Sequence, residues 1–168
     1  EINLTAQHLY FYANGKLLVE SDFVSGNAAK GWSTPAGAYS ITYKQRNATL
    51  KGQGYATPVS YWMPFNGGIG LHDANWRKTF GGTIYKNKGS HGCINLPPAV
   101  AKTIYENISA GDPVLCYHLD GTESSSTGGA KKDGEAETTA PATTAPTTAA
   151  PTTAAPTTAA PTTAAPVT

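Results

Sequence analysis

"SHGCINLPPAVAKTIYENISAGDPVLCYH", residues 90–118, joins three things in one run: a polar turn holding a histidine and a cysteine, a striped apolar segment, and a short apolar stretch. The middle reads as the one substantial helix of the chain, from Pro97-Pro98 to about Ser109. Val100, Ile104 and Ile108 recur every four residues as an apolar face, proline suits the first helical turn, and Gly111 can supply a left-handed stop. Pro113 to His118 then reads as a buried strand that closes the domain.

Upstream the pattern changes. Turn signals interrupt the first ninety residues at short intervals, which is the signature of many short strands rather than of helices. Leu9-Tyr10-Phe11-Tyr12, Asn14-Gly15 and Lys16-Leu17-Leu18-Val19 form a hairpin pattern, because Asn-Gly accepts the positive φ angles of a tight primed turn. Thr34-Pro35-Ala36-Gly37 is a turn before Tyr39-Ser40-Ile41-Thr42-Tyr43, whose apolar and polar residues alternate at strand period. The expectation is a mainly β domain with one substantial helix.

That domain ends near Asp120. All three Trp, nine Tyr, four Phe and two Cys lie before it, while the remainder is Thr, Ala, Pro, Gly, Ser and a few charges. Residues 1–120 are therefore read as one folded domain, 121–137 as a flexible linker and 138–168 as a disordered, low-complexity tail. In the tail Pro141, Pro146, Pro151, Pro156, Pro161 and Pro166 repeat every five residues with no large apolar side chain to bury, so ordering it would cost entropy without return. Such a segment is an extended spacer: either a glycosylated surface stalk or a merely solvating tail.

Other classes are excluded on simple grounds. Residues 1–120 carry ten of the Lys/Arg and seven of the Asp/Glu with no basic stripe, which argues against a nucleic-acid partner. No apolar run approaches the roughly 18–20 residues that cross a bilayer. The chain begins at Glu1 rather than methionine, and is expected to be a processed or excised piece whose address is missing. Three Asn-x-Ser/Thr triplets, at Asn3, Asn47 and Asn107, are too short a pattern to carry weight.

Cys116 lies in the apolar closing stretch and reads as a small buried hydrophobe, not as a disulfide partner. Cys93 has three readings. A nucleophilic thiol needs a base or a positive field; His72, in Gly67-Gly68-Ile69-Gly70-Leu71-His72-Asp73, is the candidate base, and Asp73 could orient its ring. Gly92 would let a substrate carbonyl approach backbone amides that could serve as an oxyanion hole. Alternatively His72, His91 and Cys93 could hold zinc, although a single thiolate at this spacing matches no paired ligand motif. The third reading is a packed, hydrogen-bonded His/Cys pair with no chemistry. The residues alone leave these open.

His72, seventeen residues, then Ser90-His91-Gly92-Cys93-Ile94-Asn95 resembles the signature of the L,D-transpeptidases, the YkuD-type catalytic domain of bacterial cell-wall enzymes. Ser25-Gly26 with Thr34-Pro35-Ala36-Gly37, Gly70-Leu71-His72-Asp73 and Gly111-Asp112-Pro113-Val114 extend the resemblance over about Ile2 to Leu119. It implies a sandwich-like YkuD β fold, with Cys93 as nucleophile, His72 as base, and the Gly92 and Cys93 amides as oxyanion hole. Ser90, His91, Asp73 and Asn95 take supporting roles, Asn95 by fixing the cysteine turn through the backbone. Tyr61, Trp62 and Trp76 are expected to line the cleft, with Arg77 as partner for a stem carboxylate.

The implied reaction is peptidoglycan cross-linking. A tetrapeptide donor stem acylates Cys93 with loss of terminal D-Ala, and the side-chain amine of a second stem completes a three-to-three cross-link. L,D-carboxypeptidase activity or a non-catalytic wall-binding module are the alternatives; a sortase-like enzyme fits poorly, since no arginine follows Arg77, and a papain-like one has its cysteine before its histidine. No metal or cofactor is expected. The expected partners are the stem peptides and carbapenem-type β-lactams as covalent inhibitors, the chain a monomer, and the location extracellular, at the wall or outer membrane face.

Overall fold

In a computed structural model that describes residues 1–52 and 54–123, β1 (Ile2–Asn3) leads into a hairpin of β2 (His8–Ala13) and β3 (Lys16–Asp22). The connecting Asn14 and Gly15 take φ of +52° and +73°, the two left-handed positions that a primed turn requires. A single turn of 3-10 helix (Ala28–Lys30) precedes β4 (Gly37–Ser40), β5 (Gln45–Gly52), β6 (Tyr55–Asn66) and β7 (Ile69–Asp73). Then follow α1 (Ile84–Lys88), β8 (Ile94–Leu96), α2 (Pro98–Asn107) and β9 (Pro113–Tyr117).

The strands form two sheets, ordered β3-β2-β1-β9-β4 and β5-β6-β7-β8. The mainly β architecture with one substantial helix is as the sequence implies. α2 packs against β3 of the first sheet and against β6 and β7 of the second. Between them lies the core, with Phe23, Ile41, Met63, Ile94, Leu96 and Ile104 all sealed from water. Truncating a side chain such as Phe23 to alanine there costs about 3–5 kcal/mol.

Three local expectations need correction. The strand expected over Tyr39–Tyr43 stops at Ser40, because Ile41 N–H donates to the Asp112 carbonyl and Thr42 N–H to Pro64 O, carrying the chain from one sheet to the other. The helix stop does not come from Gly111. Ile108 turns extended (φ −97°, ψ 151°), and the Lys44 ammonium donates to the carbonyls of Tyr105 and Ile108, both at 2.8 Å, offsetting the exposed acceptors and the negative helix end. Gly111, at φ +93°, serves the turn into β9 instead. The third is α1, which is too short to show an apolar stripe and buries none of its residues.

Cys93 and Cys116 are both free thiols. Among the described residues no helix is long and apolar enough to cross a membrane. The expected tail, 138–168, and all but 121–123 of the expected linker lie outside the described residues.

Candidate active site

Strand register creates the site. β7 and β8 run parallel as neighbours with Leu71 opposite Ile94, His72 opposite Asn95 and Asp73 opposite Leu96. The ladder thus sets His72 beside the strand that Cys93 immediately precedes, although seventeen residues separate the histidine from Ser90.

His72 is buried, with the indoles of Trp62 and Trp76 at centroid distances of 6.1 and 5.9 Å. Its Nδ1 lies 2.8 Å from the Asp73 backbone carbonyl and its Nε2 lies 2.9 Å from Asn95 Nδ2. A carbonyl can only accept, so Nδ1 carries the proton. The other side follows from Arg77, whose Nε donates to Asn95 Oδ1 at 3.0 Å. A guanidinium has no acceptor, so the Asn95 atom facing it is the oxygen and the one facing His72 is the amide nitrogen. Nε2 therefore holds a lone pair, as a general base must.

The role expected of the Asp73 carboxylate changes accordingly. It turns away from the ring and accepts the backbone N–H groups of Ser60 and Tyr61, each at 2.8 Å, so that Asp73 orients His72 through its carbonyl alone. Asn95 also departs from its expected role. Its backbone pairs with Val24, but its side chain bridges Arg77 and His72.

The cysteine loop is clamped from below. Gly92 sits at φ +121°, where a side chain would be strained and would also press on Ile69. Thr34 Oγ1 donates to the Gly92 carbonyl at 2.7 Å and accepts from Gly26 N–H at 3.1 Å. Gly26 must be a glycine, since a Cβ there would stand 1.8 Å from the Trp32 carbonyl oxygen and 2.9 Å from Gly92 Cα. Ser90 Oγ donates to the Cys93 carbonyl at 2.6 Å and accepts from Gly92 N–H at 3.0 Å. That last bond matters, because the Gly92 amide expected in an oxyanion hole is committed to Ser90.

Burial favours the uncharged form of both candidate groups. Burial pushes His72 below the usual imidazole range; the hydrogen bond to Asp73 and the Asp73 charge pull it back, while Arg77 pushes it further down. Burial also pushes the Cys93 thiol up, with the Gly70 backbone opposing. The thiol lies 3.5 Å from the Gly68 carbonyl, towards which it donates, and no hydrogen bond joins it to His72 among the described residues. Cys116 is pushed up to about 11, chiefly by burial.

His72, Trp76, Arg77, Ser90, His91, Cys93 and Asn95 open onto one cleft of about 230 Å³. Two of the expected lining residues do not. Trp62 is buried behind His72 and packs with Ala48 and Val59, while Tyr61 points to the opposite face of β6, against Tyr105 and Arg46. Strand alternation makes the two mutually exclusive on one face. The missing wall comes from the β5–β6 hairpin as Leu50, Tyr55 and Thr57. His91 is exposed and stacked between Trp32 (4.1 Å) and Tyr55 (4.7 Å), which ties the cysteine loop to that hairpin. Thr34, Gly26, Leu50, Tyr55 and Thr57 had no assigned role from sequence; the signal for the first two was the Ser25-Gly26 and Thr34-Pro35 pairing, whose purpose is visible only in three dimensions. Among the described residues no group of three or more His, Cys, Asp or Glu is arranged to hold a metal.

Comparison with known proteins bears on this arrangement. No curated protein matches. Among solved structures, the crystal structure of a cysteine-to-serine mutant of Enterococcus faecium L,D-transpeptidase is 42% identical, with a TM-score of 0.66 over 69% of this chain and 48% of that one. The chain thus spans about half the length of that relative. An NMR structure of the catalytic domain from the E. faecium enzyme, acylated by ertapenem, is 43% identical, with a TM-score of 0.63 over 70% of this chain and 94% of that domain. An L,D-transpeptidase from Stackebrandtia nassauensis is 33% identical, with a TM-score of 0.56 over 69% and 53% of the two chains. The family model for the YkuD L,D-transpeptidase catalytic domain matches residues 1–116, the whole of both sheets except the last residue of β9. With that match over most of the chain, and 42–43% identity to the E. faecium enzyme, the chain belongs to the YkuD L,D-transpeptidase catalytic-domain family.

Proposed function

We propose that the chain is a peptidoglycan L,D-transpeptidase that forms three-to-three cross-links through a Cys93 thioacyl-enzyme. The observation that carries this reading is that Cys93 and a His72 whose Nε2 lone pair is defined on both sides open into the same cleft. The ertapenem-acylated relative supports the covalent chemistry.

The donor stem places the carbonyl of its third-residue diamino acid over Cys93. As Sγ attacks, His72 Nε2 exchanges Asn95 for the thiol and takes its proton, and the new C–S bond puts charge on the carbonyl oxygen. The Cys93 N–H stabilises that oxygen, joined by Gly92 N–H once it leaves Ser90. Collapse breaks the C–N bond to D-Ala, and His72 returns the proton to the departing amine. The acceptor stem's amine then attacks the thioester, gives its surplus proton to Nε2, and expels the Cys93 thiolate, which recovers that proton. Because both groups start neutral, proton transfer accompanies attack rather than preceding it.

Peptidoglycan lies outside the membrane, so this reading places the domain at the wall or outer membrane face. Carbapenems enter the donor position in the same proposal and leave a stable adduct on Cys93. The test is mass spectrometry of the protein with a disaccharide-tetrapeptide, beside Cys93→Ala. Dimer formation with loss of D-Ala, absent in the variant, is expected. Tripeptide alone makes the domain a carboxypeptidase on these stems, and no turnover of any stem with an unmodified Cys93 overturns the reading in favour of a wall-binding module.

A further inference from the structure

Arg77 is half-buried in the cleft, yet among the described residues it makes no ion pair. Its Nε is occupied by Asn95 Oδ1 at 3.0 Å, and Asn95 Nδ2 in turn occupies the lone pair of His72 Nε2 at 2.9 Å. Every donor in this row points the same way, from guanidinium to amide to imidazole to the Asp73 carbonyl. Two things follow from that direction. The ring is held in its Nδ1–H form, and the atom that must receive the thiol proton is covered by an amide that Arg77 holds in place.

We propose that Arg77 is a positioning residue that couples substrate arrival to the availability of the base: a carboxylate entering the cleft engages the guanidinium, Asn95 relaxes its hold, and His72 Nε2 is handed to Cys93. The inference rests on the transpeptidase reading for its physiological ligand, the terminal carboxylate of the donor stem. That carboxylate lies one residue beyond the scissile carbonyl, within reach of a residue that shares a 230 Å³ cleft with the cysteine. A bidentate carboxylate is the partner a planar guanidinium without a counter-ion recognises best. No new bond is made or broken; hydrogen bonds are exchanged, and an uncharged donor end would leave Asn95 on His72.

The experiment has two arms. Ring ¹⁵N NMR of His72 is followed while N-acetyl-D-alanine, and separately its amide, is added to the full chain, using wild type, Arg77→Ala and Arg77→Lys. The expected result is a defined Nδ1–H form in wild type, an Nε2 resonance that moves with the acid and not with the amide, loss of that response in Arg77→Ala, and partial recovery in Arg77→Lys. Asn95→Asp should put a proton on Nε2 as well and give the doubly protonated ring, since a carboxylate can only accept while the Asp73 carbonyl keeps the proton on Nδ1. In the second arm, D-Ala or D-alaninamide release is measured for tetrapeptide donors ending in acid or amide. Wild type should favour the acid by about tenfold to a hundredfold in kcat/KM, the usual worth of one charge-assisted hydrogen bond, and Arg77→Ala should level the two. Equal responses to acid and amide, or an Arg77→Ala protein with unchanged ring shifts and unchanged preference, overturn the inference. An intact Nε2 response without turnover of any stem would instead count against the transpeptidase reading alone.

Discussion

Replacing Thr34 with valine removes one hydroxyl, keeps the side-chain shape, and isolates the clamp beneath the cysteine. Thr34 is 4% exposed, and its Oγ1 is both the donor to the Gly92 carbonyl and the acceptor for Gly26 N–H. Valine leaves both backbone groups buried without a partner. Each such loss costs about 1–3 kcal/mol, so with no water entering the variant should lose about 2–6 kcal/mol of stability. For a folded domain of this size that corresponds to a fall in Tm of roughly 8–24 °C. Thr34→Ser keeps the hydroxyl and should lose only about 1 kcal/mol for the missing methyl group. Urea unfolding measures the first quantity; the rate at which a carbapenem acylates Cys93 measures whether the loop still presents its thiol. Acylation should fall at least about tenfold in Thr34→Val at a temperature where the protein remains folded, since a small misplacement of reacting atoms is costly. A valine variant within about 0.5 kcal/mol of wild type, with unchanged acylation, would refute the clamp.

Three further outcomes are expected. Iodoacetamide at pH 7–8 should label Cys93 and spare Cys116, which is 2% exposed and pushed up to about 11; equal labelling of the folded protein contradicts the assignment. Acylation should hold as pH drops past the ordinary imidazole value of 6.5 and decline only below it, because His72 is depressed by burial, while stability should begin to fall near 6.5 as the unfolded chain takes up the proton first. An activity limb at or above 6.5, or a His72→Gln variant whose stability falls just as steeply with acid, would contradict this. Tyr55→Ala should slow acylation by removing a cleft wall and the stack on His91, whereas Tyr61→Ala should lower stability with little effect on rate; the reverse ranking would mean the cleft lies on the other face of β6.

The hairpin at Asn14-Gly15 and the helix that carries Val100 and Ile104 were legible because each depends on neighbours within a few positions. So were the mainly β class and the cysteine and histidine worth watching. What sequence could not supply was direction. Tyr61 and Trp62 are adjacent and equally aromatic, and only the pleat of β6 decides that one packs on Tyr105 and the other behind His72. The Asp73 carboxylate beside a candidate base invites a charge-relay reading, yet at the end of β7 it turns to the Ser60 and Tyr61 amides of the neighbouring strand. Asn95 and Arg77 are eighteen positions apart, and their contact exists because the crossover brings the chain back parallel to β7, setting Asn95 beside His72.

That crossover has an engineering meaning. The separation of His72 from Cys93 is measured in rungs of a ladder, so the number of residues looping between them is nearly free to vary. Lys78 and Thr79 are exposed at the outer bend, making that bend the natural place to splice in a reporter peptide or to split the gene into two complementing halves. Lengthening or shortening that loop would rebuild the wall that carries Trp76 and Arg77 while leaving the ladder to hold His72 beside Asn95.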